Sequence, residues 1–265
     1  MLDYLNIYCD EIKVVEILEY LLDFIFPRKA DLNKDLKGET VYDNNLDNTI
    51  HNYLEGTVWI SGIKWSKDLD CNPGDPIIYA SLYKNATMQK LIHRAKFGKE
   101  YSIAKQIGYK IGKILLSTIE SSVPKFYTKI VLTYIPPDKK RLSQRGFHIP
   151  EIIAKHAFLE INKTKNEYNF QVELMETLMK TKNTERQTQL NKQERKKNIT
   201  GMFKINTKTY NQELYTNLNE NVLIILIDDV TTTGATMLEG LRVITQNNTS
   251  MGGISAIGLC WLFAE

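Results

Sequence analysis

The sequence predicts an α/β fold in which helices flank a mainly parallel sheet, preceded by a small N-terminal appendage. Three observations lead there. From residue 76 onward, short apolar runs alternate with longer stretches whose apolar residues recur at helical spacing, as in parallel sheets with crossover helices. "NVLIILIDD", residues 221 to 229, is an unbroken aliphatic run of the kind a buried strand needs. The chain has 265 residues, 43% hydrophobic and 25% charged, enough for one large domain with an appendage.

Along the chain, "VVEILEYLLDFIFP" has helical spacing with acids between its apolar residues, and Pro27 ends it. Residues 31 to 52 are polar and rich in Asn and Asp, as loops are. "TVWISGIKW" reads as a hairpin, and the turn-forming "CNPGDP" at 71–76 sets a boundary between an appendage, 1–75, and a main domain, 76–265. "PIIYASLYKNATMQKLIHRAKF" reads as a short strand and then a helix, and "SIAKQIGYKIGKILLSTI" as a second, amphipathic helix. "KIVLTYIPP" is a buried strand broken by Pro136 and Pro137, "EIIAKHAFLEI" a helix, and "FQVELME" a strand. A charged stretch follows, then the short extended "GMFKI", the strand "NVLIILIDD", the helix "TMLEGLRVITQ" and a last strand, "ISAIGLCWLF". No internal repeat is visible.

Composition excludes several classes. Cys9, Cys71 and Cys260 lie far apart without a CxxC, which fits neither a disulfide framework nor a zinc site and points to a reducing compartment. Asp3, Asp10, Glu11, Glu16, Glu19 and Asp23 are incompatible with a signal peptide or membrane span at the start, so a cytoplasmic location is expected. A net charge of +3 permits phosphate or nucleic-acid ligands without arguing for them.

"IILIDDVTTTGATM", residues 224 to 237, holds the chemistry. An apolar strand feeding a glycine-containing turn and a helix offers N–H groups without intrahelical partners, a site suited to phosphate. Thr231, Thr232, Thr233 and Thr236 add hydroxyls, and Gly234 allows close backbone approach. Asp228 and Asp229 would repel phosphate but accept hydrogen bonds from neutral hydroxyls about one sugar ring away. Ribose 5-phosphate satisfies both halves. A Walker B reading fails because "GYKIGKI" at 108–114 is one residue short of a phosphate loop and lacks its Ser/Thr. A phospho-acceptor receiver would place its acids near the start of the domain.

This stretch resembles the phosphoribosyl pyrophosphate (PRPP) motif of type I phosphoribosyltransferases. "YIPPDKKRLSQRGFHIPEIIAKHAF", "LMKTKNTERQTQLNKQERKKNITGMFKI" and "LYKNATMQKLIHRAKFGKE" are similar to segments of the ComF (competence protein F-like) family, covering about residues 77 to 260. The resemblance implies a type I phosphoribosyltransferase fold whose N-terminal hood reads the acceptor. It implies PRPP binding by Asp228, Asp229, Val230, Thr231, Thr232, Thr233, Gly234, Ala235 and Thr236, with Arg141 and Arg145 near the pyrophosphate beside Gly146. The catalytic contribution would fall to Asp228, Asp229 and Arg145, with Mg²⁺ bridging pyrophosphate and sugar oxygens. A flexible loop would carry Arg186, Gln187, Arg195 and Asn198, with Lys180 and Lys182 where arginines are usual; the same stretch reads equally as a solvated charge run.

Departures from the family pattern are specific. "LLDFIFPRKA" keeps the lead-in to a zinc ribbon, but of the cysteine pairs only Cys71 remains, so no protein-ligated zinc is expected. His148 stands where the family has an amide. The resemblance also implies a second role, as an accessory to DNA uptake that binds single-stranded DNA or a partner helicase of the competence machinery. Lys90 to Lys113, with Phe97, Tyr101 and Tyr109 among basic residues, is compatible with that, and also with an amphipathic helix pair. The acceptor and the oligomeric state are not encoded in any motif.

Overall fold

The computed structural model describes residues 62–65, 76–83, 86–122, 127–163, 170–181, 199–209, 221–246 and 254–264. Eight strands and five helices lie along them. They run β1 (Gly62–Trp65), β2 (Pro76–Leu82), α1 (Ala86–Phe97), α2 (Tyr101–Ser122), β3 (Lys129–Tyr134), α3 (Lys139–Arg145) and α4 (Ile149–Ile161). Then come β4 (Gln171–Leu174), β5 (Leu178–Lys180), β6 (Phe203–Ile205), β7 (Val222–Thr231), α5 (Ala235–Gln246) and β8 (Ile254–Phe263).

Six strands form one sheet in the order β1-β2-β8-β7-β3-β4. Every pairing is parallel except that of β1 with β2, which is antiparallel. Of the expected hairpin at 57–65, only Gly62–Trp65 lies within the described residues, and it joins the sheet edge beside β2. β7 occupies an interior position between β8 and β3, which is why its sequence is aliphatic on both faces.

The two-residue period of a strand divides the core. Leu223, Ile225 and Ile227 of β7 join one cluster with Ile130, Leu132 and Trp261 under α1, α2 and α4. Val222, Ile224 and Leu226 join the other with Val131, Cys260 and the apolar face of α5. The β5–β6 ribbon covers part of that second face through Leu178 and Phe203. Burying each large aliphatic side chain contributes roughly 1.5–3 kcal/mol.

"GYKIG" has a packing role. A Cβ at Gly108 would lie 2.6 Å from the Ile153 carbonyl oxygen, and one at Gly112 2.8 Å from that of Ala157. Glycines one turn apart on α2 thus let α4 approach at backbone distance. The stretch that fails as a phosphate loop is a helix contact.

Candidate functional site

The acids of β7 lie inside the strand, which continues to Thr231. Neighbours along a strand point to opposite faces, so Asp228 follows Leu226 toward the α5 side and Asp229 follows Ile227 toward the side of α1 and α4. Each anchors locally: Asp229 N–H donates to Asp228 Oδ1 at 2.8 Å, and Val230 N–H donates to Asp229 Oδ1 at 2.7 Å. The other oxygen of Asp229, Oδ2, meets Lys96 Nζ at 2.9 Å. Asp228 has no such cation at ion-pair distance among the described residues. Burial first, and then the charge of Asp229, push its carboxyl up to about 7, while Lys96 and Arg141 pull the other way.

The basic residues come from the turn and short helix after β3. Ile135 N–H extends the ladder to the Ile227 carbonyl at 3.0 Å, and Pro136 and Pro137 then stop the strand. Asp138 caps α3, accepting from the N–H groups of Lys140 at 3.1 Å and Arg141 at 3.2 Å. Gly146 closes it at φ 79°, a left-handed conformation that favours glycine, with its N–H donating to the Leu142 carbonyl at 2.7 Å. None of the seven residues of α3 is buried, so its arginines are free to serve a ligand.

His148 fixes this turn from behind. Its Nε2 lies 2.7 Å from the Ile135 carbonyl oxygen, which can only accept, so Nε2 bears the proton. Burial lowers the His148 pKa against the pull of that carbonyl bond and of Asp229, favouring the neutral ring. Tyr134 stacks edge-on against it at 5.9 Å.

These elements enclose a cavity of about 220 Å³. Asp228, Asp229, Val230, Thr236, Arg141 and Arg145 all line it, together with Lys96, His148, Asp138, Lys180 and apolar walls from Ile135, Phe147, Met202 and Phe203. Lys180 Nζ pairs with Asp138 at 3.0 Å. Burial works against the charge on Asp138, but that ammonium and the Arg141 N–H hold its carboxyl below the usual range. With Lys96 and Lys180 each matched to an acid, no carboxylate stands at ion-pair distance from Arg141 or Arg145 among the described residues. Arg145 lies 5.6 Å from the Phe97 ring centroid. The cavity therefore offers two guanidinium groups to an anion and Asp228 to hydroxyl donors.

The turn to α5 adjoins the cavity through Val230 and Thr236. Thr231 is buried and its carbonyl accepts the Ala264 N–H at 2.8 Å; Thr232 is exposed and Thr233 half-buried. Gly234 adopts φ 73°, and its carbonyl accepts the first helical bond, from Leu238 N–H at 2.9 Å. The first turn of α5 holds no acid, leaving its N-terminal N–H groups and dipole unopposed toward an anion. Thr231, Thr232, Thr233, Gly234 and Ala235 do not line the cavity itself. Arg186, Gln187, Arg195 and Asn198 lie outside the described residues.

Nothing in the sequence sets Lys96 apart within the basic stretch from Lys90 to Lys113, and His148 shows there only as a histidine where the family has an amide. A lysine at the end of an amphipathic helix carries no signal of which acid it meets. His148 is legible only once its partner, the backbone of Ile135, is placed.

As a metal centre the residues are incomplete. Both oxygens of Asp229 and one of Asp228 are already engaged, and no group of three or more His, Cys, Asp or Glu could hold an ion among the described residues. No described helix is long and apolar enough to cross a membrane. Compared with known proteins, the chain matches no family and no curated sequence.

Proposed function

We propose that this chain binds PRPP or a related ribose phosphate and, with PRPP, transfers the phosphoribosyl group to a nucleophile. The observation that supports this best is the gathering of an acid pair and two arginines, unmatched among the described residues, in one cavity beside the N-terminus of α5. Asp228 would accept the ribose hydroxyls, the turn from Thr232 to Thr236 the 5-phosphate, and Arg141 and Arg145 the pyrophosphate. In the transfer, a lone pair of the acceptor forms the bond to C1. The bond from C1 to pyrophosphate breaks with its electron pair leaving on oxygen, and the acceptor's proton passes to solvent. The guanidinium groups stabilise the charge growing on the leaving group, so positioning and electrostatics suffice without a protein nucleophile. Mg²⁺ would come with the pyrophosphate and neutralise part of its charge.

Calorimetric titration with PRPP and Mg²⁺ tests the reading. Saturable binding is expected, weakened about tenfold to a hundredfold in Asp228→Asn, the loss of one hydrogen bond to a charged group. Arg145→Ala should weaken PRPP more than ribose 5-phosphate, which has no pyrophosphate. Absence of saturation in the wild type rules the proposal out.

A second reading, single-stranded nucleic acid, draws on one observation. Phe97 and Tyr101 are 66% and 50% exposed beside Lys99, Lys105 and Arg145. Binding with a steep salt slope that is indifferent to Asp228→Asn would favour it.

A further inference from the structure

Asp228 and Asp229 read as a pair in the sequence, yet they are treated differently. Asp229 is 12% exposed as a side chain and faces an ammonium at 2.9 Å; Asp228 faces none among the described residues. That ammonium comes from the last turn of α1, a helix on the opposite side of the sheet from α5. The place of Lys96 is fixed by the turn that follows it. Arg94 makes a two-pronged contact with Glu100, Nε to Oε1 at 2.9 Å and Nη2 to Oε2 at 2.6 Å, and Gly98 N–H returns to the Arg94 carbonyl at 2.8 Å. Bidentate pairs of this kind hold geometry as well as charge. The Lys96 side chain is itself only 20% exposed, so little rotamer freedom is left to lose on ligand binding.

We infer that Lys96 is a positioning residue of this site: it locks Asp229 into an ion pair and leaves Asp228 as the carboxyl that receives the ligand's hydroxyls. The inference rests on the ribose-phosphate reading and adds a division of labour within the acid pair. Without the ammonium, two adjacent carboxylates would share a confined space with no cation between them, and the pair would hold a proton to higher pH. Other groups around the acids are Arg141 from α3, His148 at the head of α4 and Cys260 on β8. None of them is at ion-pair distance from Asp229 among the described residues.

The test compares wild type, Lys96→Met and Lys96→Arg for ribose 5-phosphate affinity from pH 5.5 to 8.5, and titrates the Asp carboxyl carbons of each by NMR without ligand. For Lys96→Met we expect about tenfold weaker binding at neutral pH. Its acid limb, where binding is lost as the carboxylates take up protons, should move up by about one pH unit. Lys96→Arg should restore both, which a merely structural defect would not allow. Equal weakening at every pH would make Lys96 a direct phosphate contact and overturn the positioning role; so would unchanged affinity. If the wild type binds no sugar phosphate, the ribose-phosphate reading fails by itself. The carboxyl titration then decides separately: an unchanged curve in Lys96→Met overturns the ion-pair role, and an upward shift supports it.

Discussion

Replacing Asp228 by Asn should make the protein more stable, and only above a certain pH. The carboxyl sits among buried groups beside Asp229, and its folded pKa is raised from the ordinary 3.8 to about 7. Between those values the unfolded chain has released a proton that the folded chain keeps. Unfolding therefore releases protons, and raising the pH favours unfolding. Each tenfold difference in proton affinity is worth about 1.4 kcal/mol, so the cost is nil below about pH 4. It grows through the interval and reaches on the order of 4 kcal/mol above pH 7, a cost that belongs to the pair with Asp229 rather than to one carboxyl. Asn keeps an oxygen to accept the Asp229 N–H and has no proton to lose. Urea denaturation of both proteins at pH 4, 6 and 8 measures the difference directly. The variant should match wild type at pH 4 and exceed it by several kcal/mol at pH 8, while binding ribose phosphate worse. A gain equal at all three pH values, or none, would refute the reasoning, because the acid would then carry no stored charge penalty.

Gly112→Ala should cost about 1–3 kcal/mol by forcing α2 and α4 apart, lowering the melting temperature by about 2–10 °C in a calorimetric scan. Asp138→Ala should cost about 0.5–2 kcal/mol by removing the α3 cap. Because the Asp138 carboxyl is held below its usual range, that contribution is present above the unfolded value and fades as pH falls through the folded one. The difference between variant and wild-type denaturation curves should be smaller at pH 2.5 than at pH 7.

The legible parts were those whose cause is local. The aliphatic run of β7, the glycine at the start of α5 and the prolines after β3 each fix their own backbone, so strand, turn and helix fell where the pattern put them. The division of labour within the acid pair is not legible in the sequence: alternation along the strand gives Asp228 and Asp229 different neighbours, although both line one cavity. The rest of the site depends on where distant segments meet. Lys96 reaches Asp229 only because α1 packs on the face that Asp229 shares with Ile227, and Lys180 reaches Asp138 only because β5 pairs with β6 over the neighbouring face. Such meetings are tertiary, and no periodicity along the chain announces them.

The β5–β6 ribbon has a practical corollary. The chain leaves it at Thr181, whose N–H donates to the Met202 carbonyl at 2.9 Å, and re-enters by Gly201, whose N–H donates to Glu239 Oε1 at 2.7 Å. Both portals are thus riveted to the sheet and to α5, whatever span of polypeptide joins them. Doubling the length of such a span adds only about 0.6 kcal/mol of closure entropy. Lengthening the connection between the two portals should therefore leave the ribbon's pairing and its anchor on α5 in place.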